Sequence, residues 1–196
     1  MRTITVEKTL YTFNELSDTA KDTARTALDT FEFQAECTLE DFTSIANLMG
    51  FYDVKPRYSG FWSQGDGASF TGRYKYAKGG AKAVKEYAPQ DVELHRIAQG
   101  LQDLQARYFF QLTANLTQGT NSNLYAHEFT ISIDVEQDGA SVNIETEKEF
   151  TELARALMKW LYRALEAAYD DCNTNEYILE HCEANGYEFD IKGNLA

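Results

Sequence analysis

Two runs rich in β-branched and aromatic residues, 51–58 and 69–76, bracket one short glycine-laden stretch, which leaves the chain little choice but an antiparallel hairpin with an elaborated tip. The bracketed stretch reads Tyr58-Ser-Gly-Phe-Trp-Ser-Gln-Gly-Asp-Gly-Ala-Ser-Phe-Thr-Gly72 and holds four aromatics and four glycines. Glycine admits backbone conformations and close approaches that other residues resist. Phe61 and Trp62 are costly to leave loose in water, so they are expected either to plug a core or to anchor a partner. The residues expected to contact a partner here are Tyr58, Phe61, Trp62, Ser63, Gln64 and Asp66, with Arg73 on the following strand.

The rest of the chain divides by period. Ile4, Val6, Thr9, Tyr11 and Phe13 suggest an opening strand. Leu16, Ala20, Ala24, Ala27, Leu28 and Phe31 recur at helical steps after Asn14 or Ser17 and predict a helix over about residues 17–33. Thr38 with Asp41 resembles a capping pair opening a second helix on Leu39, Phe42, Ile45, Ala46 and Met49, closed by Gly50. A short helix is expected over 81–87 and a longer one over 91–108. Leu112, Ala114 and Leu116 alternate into a turn-rich stretch over 117–123. Phe129, Ile131, Ile133 and Val135 alternate next, and Asp138-Gly139 leads to a third strand through Val142 and Ile144. A strong helix over 146–169 follows, then a short one capped by Thr174 and stopped by Gly186, and an edge strand through Tyr187, Phe189 and Ile191. Strands and helices are interspersed without a linker or a repeat. The expectation is a single α+β domain over 1–196, an antiparallel sheet of about five to six strands packed against several helices.

Charge narrows the partners. The chain carries 18 basic and 31 acidic side chains, net −13, and residues 111–196 alone hold sixteen acids against five bases, whereas residues 51–110 are net basic. Such a surface repels phosphates at long range, so direct nucleic-acid binding is disfavoured. It suits a basic protein partner, including one whose usual ligand is nucleic acid. Asp170, Asp171, Glu176 and Glu180, along the last helices, are the acids expected to face such a partner, unless the charge serves solubility alone. No apolar run nears the roughly 18 residues of a membrane span, and the first residues lack the apolar core of a signal peptide, which points to the cytoplasm. Cys37, Cys172 and Cys182 have neither a disulfide framework nor zinc spacing and read as free thiols. His95, His127 and His181 read as structural. No metal or cofactor is expected.

Ser63, Asp66, Arg73 and His127 are the residues from which a catalytic or nucleotide site would be assembled around the loop. The stretch lacks both the Gly-x-Ser-x-Gly elbow of a serine nucleophile and the Lys-Ser/Thr of a phosphate-binding loop. A small nucleotide-binding protein or enzyme at residues 59–68 therefore stands as the alternative to a binding protein.

Several segments together resemble one family: Tyr11-Thr-Phe-Asn-Glu-Leu-Ser-Asp-Thr-Ala-Lys21, the loop from Ser59 to Ala68, Glu86-Tyr-Ala-Pro89, Glu93-Leu-His-Arg-Ile97, Leu161-Tyr-Arg-Ala-Leu-Glu166 and Ala184-Asn-Gly-Tyr-Glu-Phe189. The chain is similar to a group of bacteriophage and prophage proteins labelled antitoxin of a toxin–antitoxin stability system. The resemblance implies a non-enzymatic protein that binds and neutralises a host toxin or defence protein in the host cytoplasm, antitoxin-like or in the manner of an anti-CRISPR inhibitor. It carries no catalytic residues over.

Overall fold

The structure, a computed structural model, describes residues 1–3, 7–28, 30–119 and 125–196. They form an α+β fold of six α-helices and a five-stranded antiparallel sheet, and they group into two compact units, Cys37–Glu166 and a second made of Met1–Glu36 with Ala167–Ala196.

The Cys37–Glu166 unit holds the sheet. Its strands β1 (Phe51–Tyr58), β2 (Ala68–Lys75), β3 (Leu112–Gln118), β4 (Ile131–Gln137) and β5 (Ala140–Ser141) lie in sequence order, each antiparallel to its neighbour. Strand alternation splits the sheet into two faces. Phe51, Phe70, Tyr74, Leu112, Ala114, Leu116, Ile133 and Val135 point to the buried face, while Lys55, Arg57, Arg73, Lys75, Asn115 and Asp134 are exposed on the other. The first strand pair skips register between Tyr52 and Lys55, where Asp53 takes a left-handed φ of 53°, and Pro56 sits in the same strand opposite Phe70.

A chain of aromatic contacts forms the core: Phe51 meets Phe70 at 5.2 Å and Tyr74 at 5.0 Å, Tyr74 meets Phe150 at 4.9 Å, and Phe42 meets Phe70 at 5.3 Å. These are edge and tilted geometries, the ones the ring quadrupole favours. The helices that cover this face are α3 (Gly80–Tyr87), α4 (Val92–Arg107) and parts of α2 (Phe31–Met49) and α5 (Ile144–Cys172). Asp91 caps α4 with one carboxylate oxygen on the Leu94 N–H at 2.9 Å and takes the Trp160 indole N–H on the other at 2.6 Å. α4 and α5 approach closely at Gly100, where a Cβ would come within 2.8 Å of Leu153. The buried amide of Gln105 both donates to and accepts from the backbone of Leu112, which ties the end of α4 to the start of β3.

In the other unit, α1 (Asp18–Leu28), α6 (Asn175–Asn185) and the chain ends enclose a small core of Phe13, Leu16, Ala20, Ala24, Ile178, Cys182 and Phe189. Thr174 caps α6 by accepting from the Tyr177 N–H, and Gly186 closes it in the left-handed region. His181 lies between the rings of Tyr177 and Tyr187.

Several boundaries differ from those expected. The expected opening strand falls partly on Ile4 and Val6, outside the described residues, as does most of the turn-rich stretch at 117–123. What is described is one bridge from Tyr11 to Phe189 followed by a 3-10 turn, Phe13–Glu15. Glu15 accepts from the backbone N–H and the hydroxyl of Thr12, which bends the chain and holds the Glu15 carboxyl below its ordinary range. The first two helices divide between Leu28 and Phe31 rather than near residue 37. Thr38 lies inside α2, because Ala35, Phe42, Ile45, Ala46 and Met49 form one buried stripe that an interruption at Thr38 would break. Phe129 leaves the strand for a 3-10 turn, Glu128–Thr130, in which the Thr130 hydroxyl bonds the His127 carbonyl at 2.7 Å. The strand expected through Val142 and Ile144 shrinks to Ala140–Ser141, since Asn143 accepts from Thr146 N–H at 2.9 Å and starts α5 at Ile144. The final edge strand is reduced to bridges from Phe189 to Tyr11 and Leu195. Asp190 gathers N–H groups of Lys192 and Asn194 and turns the chain, and these bonds lower its pKa.

Candidate functional site

The loop between β1 and β2 is a closed, internally bonded structure. Ser59 N–H bonds the Gly67 carbonyl at 3.1 Å, and the Ser59 hydroxyl accepts from Ala126 N–H at 3.2 Å, tying the loop to the segment ahead of β4. Asp66 turns inward: its carboxylate accepts from the Ser63 N–H at 2.8 Å while its own N–H bonds the Ser63 carbonyl. It organises the tip as an Asx turn does. The glycines are needed where the loop touches its neighbours, since a Cβ on Gly65 would sit 2.7 Å from the Tyr125 ring and one on Gly67 3.0 Å from the His127 ring.

Phe61 is the hinge of the aromatic group. It stacks on Tyr58 at 6.1 Å and meets Trp62 and Tyr162 of α5 at 5.7 Å each. Trp62 itself is 65% exposed and held at a left-handed φ of 65°, a conformation that costs a large side chain energy and persists only when the surroundings fix it. Ser63 and Gln64 are exposed beside it at the tip.

Beyond Tyr162 a groove of about 730 Å³ runs along α5. Arg155, Lys159 and Arg163 line it at four-residue steps, so they share one helix face, and Arg96 joins them from α4. Phe129 and Tyr162 supply its aromatic surface, and Glu93 and Glu152 also lie on its walls. The guanidinium of Arg155 sits 4.6 Å from the centre of the Phe129 ring, a cation–π contact, while its Nε is buried with no hydrogen-bond partner among the described residues. Phe129 is 63% exposed and stacks on His127 at 5.3 Å. Glu128 is buried behind it, with Lys159 at 3.6 Å and His127 Nδ1 at 3.1 Å. Arg163 pairs with Glu93. Among the described residues, Arg96 and Arg155 form no ion pair.

The residues expected from the sequence do not all converge. Tyr58, Phe61, Trp62, Ser63, Gln64 and Asp66 share the loop. Arg73 does not: it lies opposite Tyr52 and Asn115 on the exposed face of the sheet, several residues along β2 from the loop. Asp170, Asp171, Glu176 and Glu180 are exposed on the end of α5 and on α6, in the other unit. Ser63 and His127 share no hydrogen bond among the described residues, and the Asp66 carboxylate bonds the loop backbone. His95 Nε2 lies 2.8 Å from the Ala88 carbonyl. Residues 35–175 match the family described as a domain of unknown function, DUF8835.

The chain belongs to this family. The DUF8835 match takes in all of the Cys37–Glu166 unit, hence the loop and the groove, and leaves out Glu176 and Glu180. No match was found among curated proteins or among solved structures. The stripe Arg155, Lys159, Arg163 was legible as an i, i+4, i+8 row of bases, but the sixteen acids around it in sequence hid it from a count of charge.

Proposed function

We propose that this DUF8835 protein is a phage-encoded, non-enzymatic interaction protein that binds and neutralises a toxin or defence protein in the cytoplasm of a bacterial host. The observation that carries the reading is Trp62, two-thirds exposed and fixed in the left-handed region by a packed loop. A side chain of that size, rigid before binding, contributes buried apolar area without an ordering cost, and tryptophan, tyrosine and arginine dominate the energetics of protein interfaces. The inward turn of Asp66 argues for recognition and against catalysis, since the one acid of the loop serves its backbone. Asp170, Asp171, Glu176 and Glu180 form no ion pair among the described residues and offer the partner a second, acidic surface.

Trp62→Ala tests the reading. An exposed side chain leaves the fold largely unchanged when shortened. As an anchor its loss weakens partner binding by about 2 kcal/mol or more, roughly thirty-fold. Host cells carrying the toxin or defence system should be protected by the wild-type chain and not by the variant, with equal melting temperatures. Equal protection by both, or purification of the wild type with a stoichiometric nucleotide that it turns over, would overturn it.

A further inference from the structure

The groove beside the loop says what kind of segment the partner brings, an inference that rests on the reading of this protein as an interaction protein. Arg155, Lys159 and Arg163 stand one helical turn apart, about 6 Å of rise per step. The three cations are thus spread along a line and not gathered at a point. Lys159 and Arg163 are held by Glu128 and Glu93, whereas among the described residues Arg96 and Arg155 form no ion pair and the buried Nε of Arg155 has no hydrogen-bond partner. Four cations, two of them guanidinium groups without an ion pair among the described residues, thus line one groove on a chain of net charge −13.

An anionic occupant satisfies them, and its class follows from three features. Spaced cations fit separate carboxylates along a chain better than the dense charge of a nucleoside triphosphate. Glu93 and Glu152 on the walls interrupt the row of cations, which suits a segment of spaced acids better than a strand that carries a phosphate at every nucleotide. Arginine forks bind carboxylates through paired hydrogen bonds, and exposed Phe129 and Trp62 with half-buried Tyr162 add the apolar contacts that protein interfaces place beside arginine. We infer that the groove between α4 and α5 is the docking site for an acidic segment of a partner protein, its carboxylates on Arg96, Arg155, Lys159 and Arg163 and its apolar residues on Phe129 and the Trp62 loop.

The test needs no host partner. Fluorescein-labelled poly-L-glutamate is titrated with the purified chain and followed by anisotropy, with unlabelled oligothymidylate and ATP as competitors. Saturable binding that weakens with added salt is expected. The double variant Arg96→Ala/Arg155→Ala should lower affinity at least ten-fold with an unchanged melting temperature. Arg155→Lys, which keeps the charge but loses the fork, should fall between, and Lys55→Ala/Lys75→Ala on the open sheet face should bind like wild type. No saturable binding, equal losses in both double variants, or oligothymidylate or ATP displacing the probe more effectively than unlabelled polyglutamate would overturn the inference. Failure here with host protection still dependent on Trp62 removes only the groove assignment. Binding here by a chain that neutralises nothing removes only the antitoxin reading.

Discussion

Replacing Asp91 by alanine should cost far more than the loss of one partly exposed acid suggests, because its two carboxylate oxygens do separate jobs. One accepts the Leu94 N–H at 2.9 Å and caps α4; the other accepts the Trp160 indole N–H at 2.6 Å. Loss of an N-cap costs about 1 kcal/mol. Leaving the half-buried indole N–H, confined by the Phe42 ring stacked at 6.5 Å, without an acceptor costs about 1–3 kcal/mol more. The sum is about 2–4 kcal/mol, which for a chain of this length lowers the melting temperature by roughly 5–15 °C. Urea titration of wild type, Asp91→Ala, Trp160→Phe and the double variant apportions the two jobs. Trp160→Phe deletes the donor along with its need and should cost less than Asp91→Ala, with a coupling energy near ~1 kcal/mol between the sites. If Asp91→Ala is destabilised by less than about 0.5 kcal/mol, the range of an ordinary surface change, the double role assigned to this carboxylate is refuted.

Two further outcomes follow from backbone and burial. Gly50→Ala should destabilise by about 3 kcal/mol or more, since its φ of 105° and a Cβ only 2.2 Å from the Lys75 carbonyl leave no room; Gly79→Ala, left-handed but open, should cost only about 1 kcal/mol, and similar midpoints for the two in urea would contradict this. Burial raises the Tyr74 phenol to about 12 and the Cys172 and Cys182 thiols above their ordinary range, so the folded chain keeps protons that the unfolded chain releases. Stability is therefore fully present below about pH 8.5 and declines as pH rises, through the thiols first and then from about 10 through the tyrosine, with the last part flattened in Tyr74→Phe; a flat or rising urea midpoint across that window would refute it.

The sequence was most readable where a local rule and the core agreed. Thr174 and Gly186 cap the helix they were expected to cap, and the alternation of Ile131, Ile133 and Val135 marks a strand buried on one face. It misled where two local signals competed. Thr38 and Asp41 resemble a cap, yet a buried stripe running from Ala35 to Met49 outweighs one side-chain bond, and α2 continues through them. Phe129 continues the alternation on paper, but its neighbours His127 and Thr130 close a turn that lifts it out of the strand and onto the groove. The loop was visible as composition, though not its internal bonding, because whether Asp66 faces a ligand or its own backbone depends on a turn geometry that composition leaves open. The groove was hardest to see. It joins Arg96 to Arg155 across two helices, and only the packing that brings Gly100 against Leu153 places them on one surface.

The register skip in β1 bears on how the molecule behaves in a crowd. Among the described residues β1 is a terminal strand of the sheet, and a terminal strand offers unpaired N–H and C=O groups to any other extended chain. Here Pro56 has no N–H to offer, Asp53 twists the backbone out of line, and Lys55 and Arg57 place charge on the approach. The opposite border is only two residues long. Both borders are thus poor templates for strand addition, so the protein can hold an exposed polar sheet face at high concentration without stacking copies edge to edge. Straightening β1, by deleting Asp53 and replacing Pro56 with valine, would convert that border into an adhesive one.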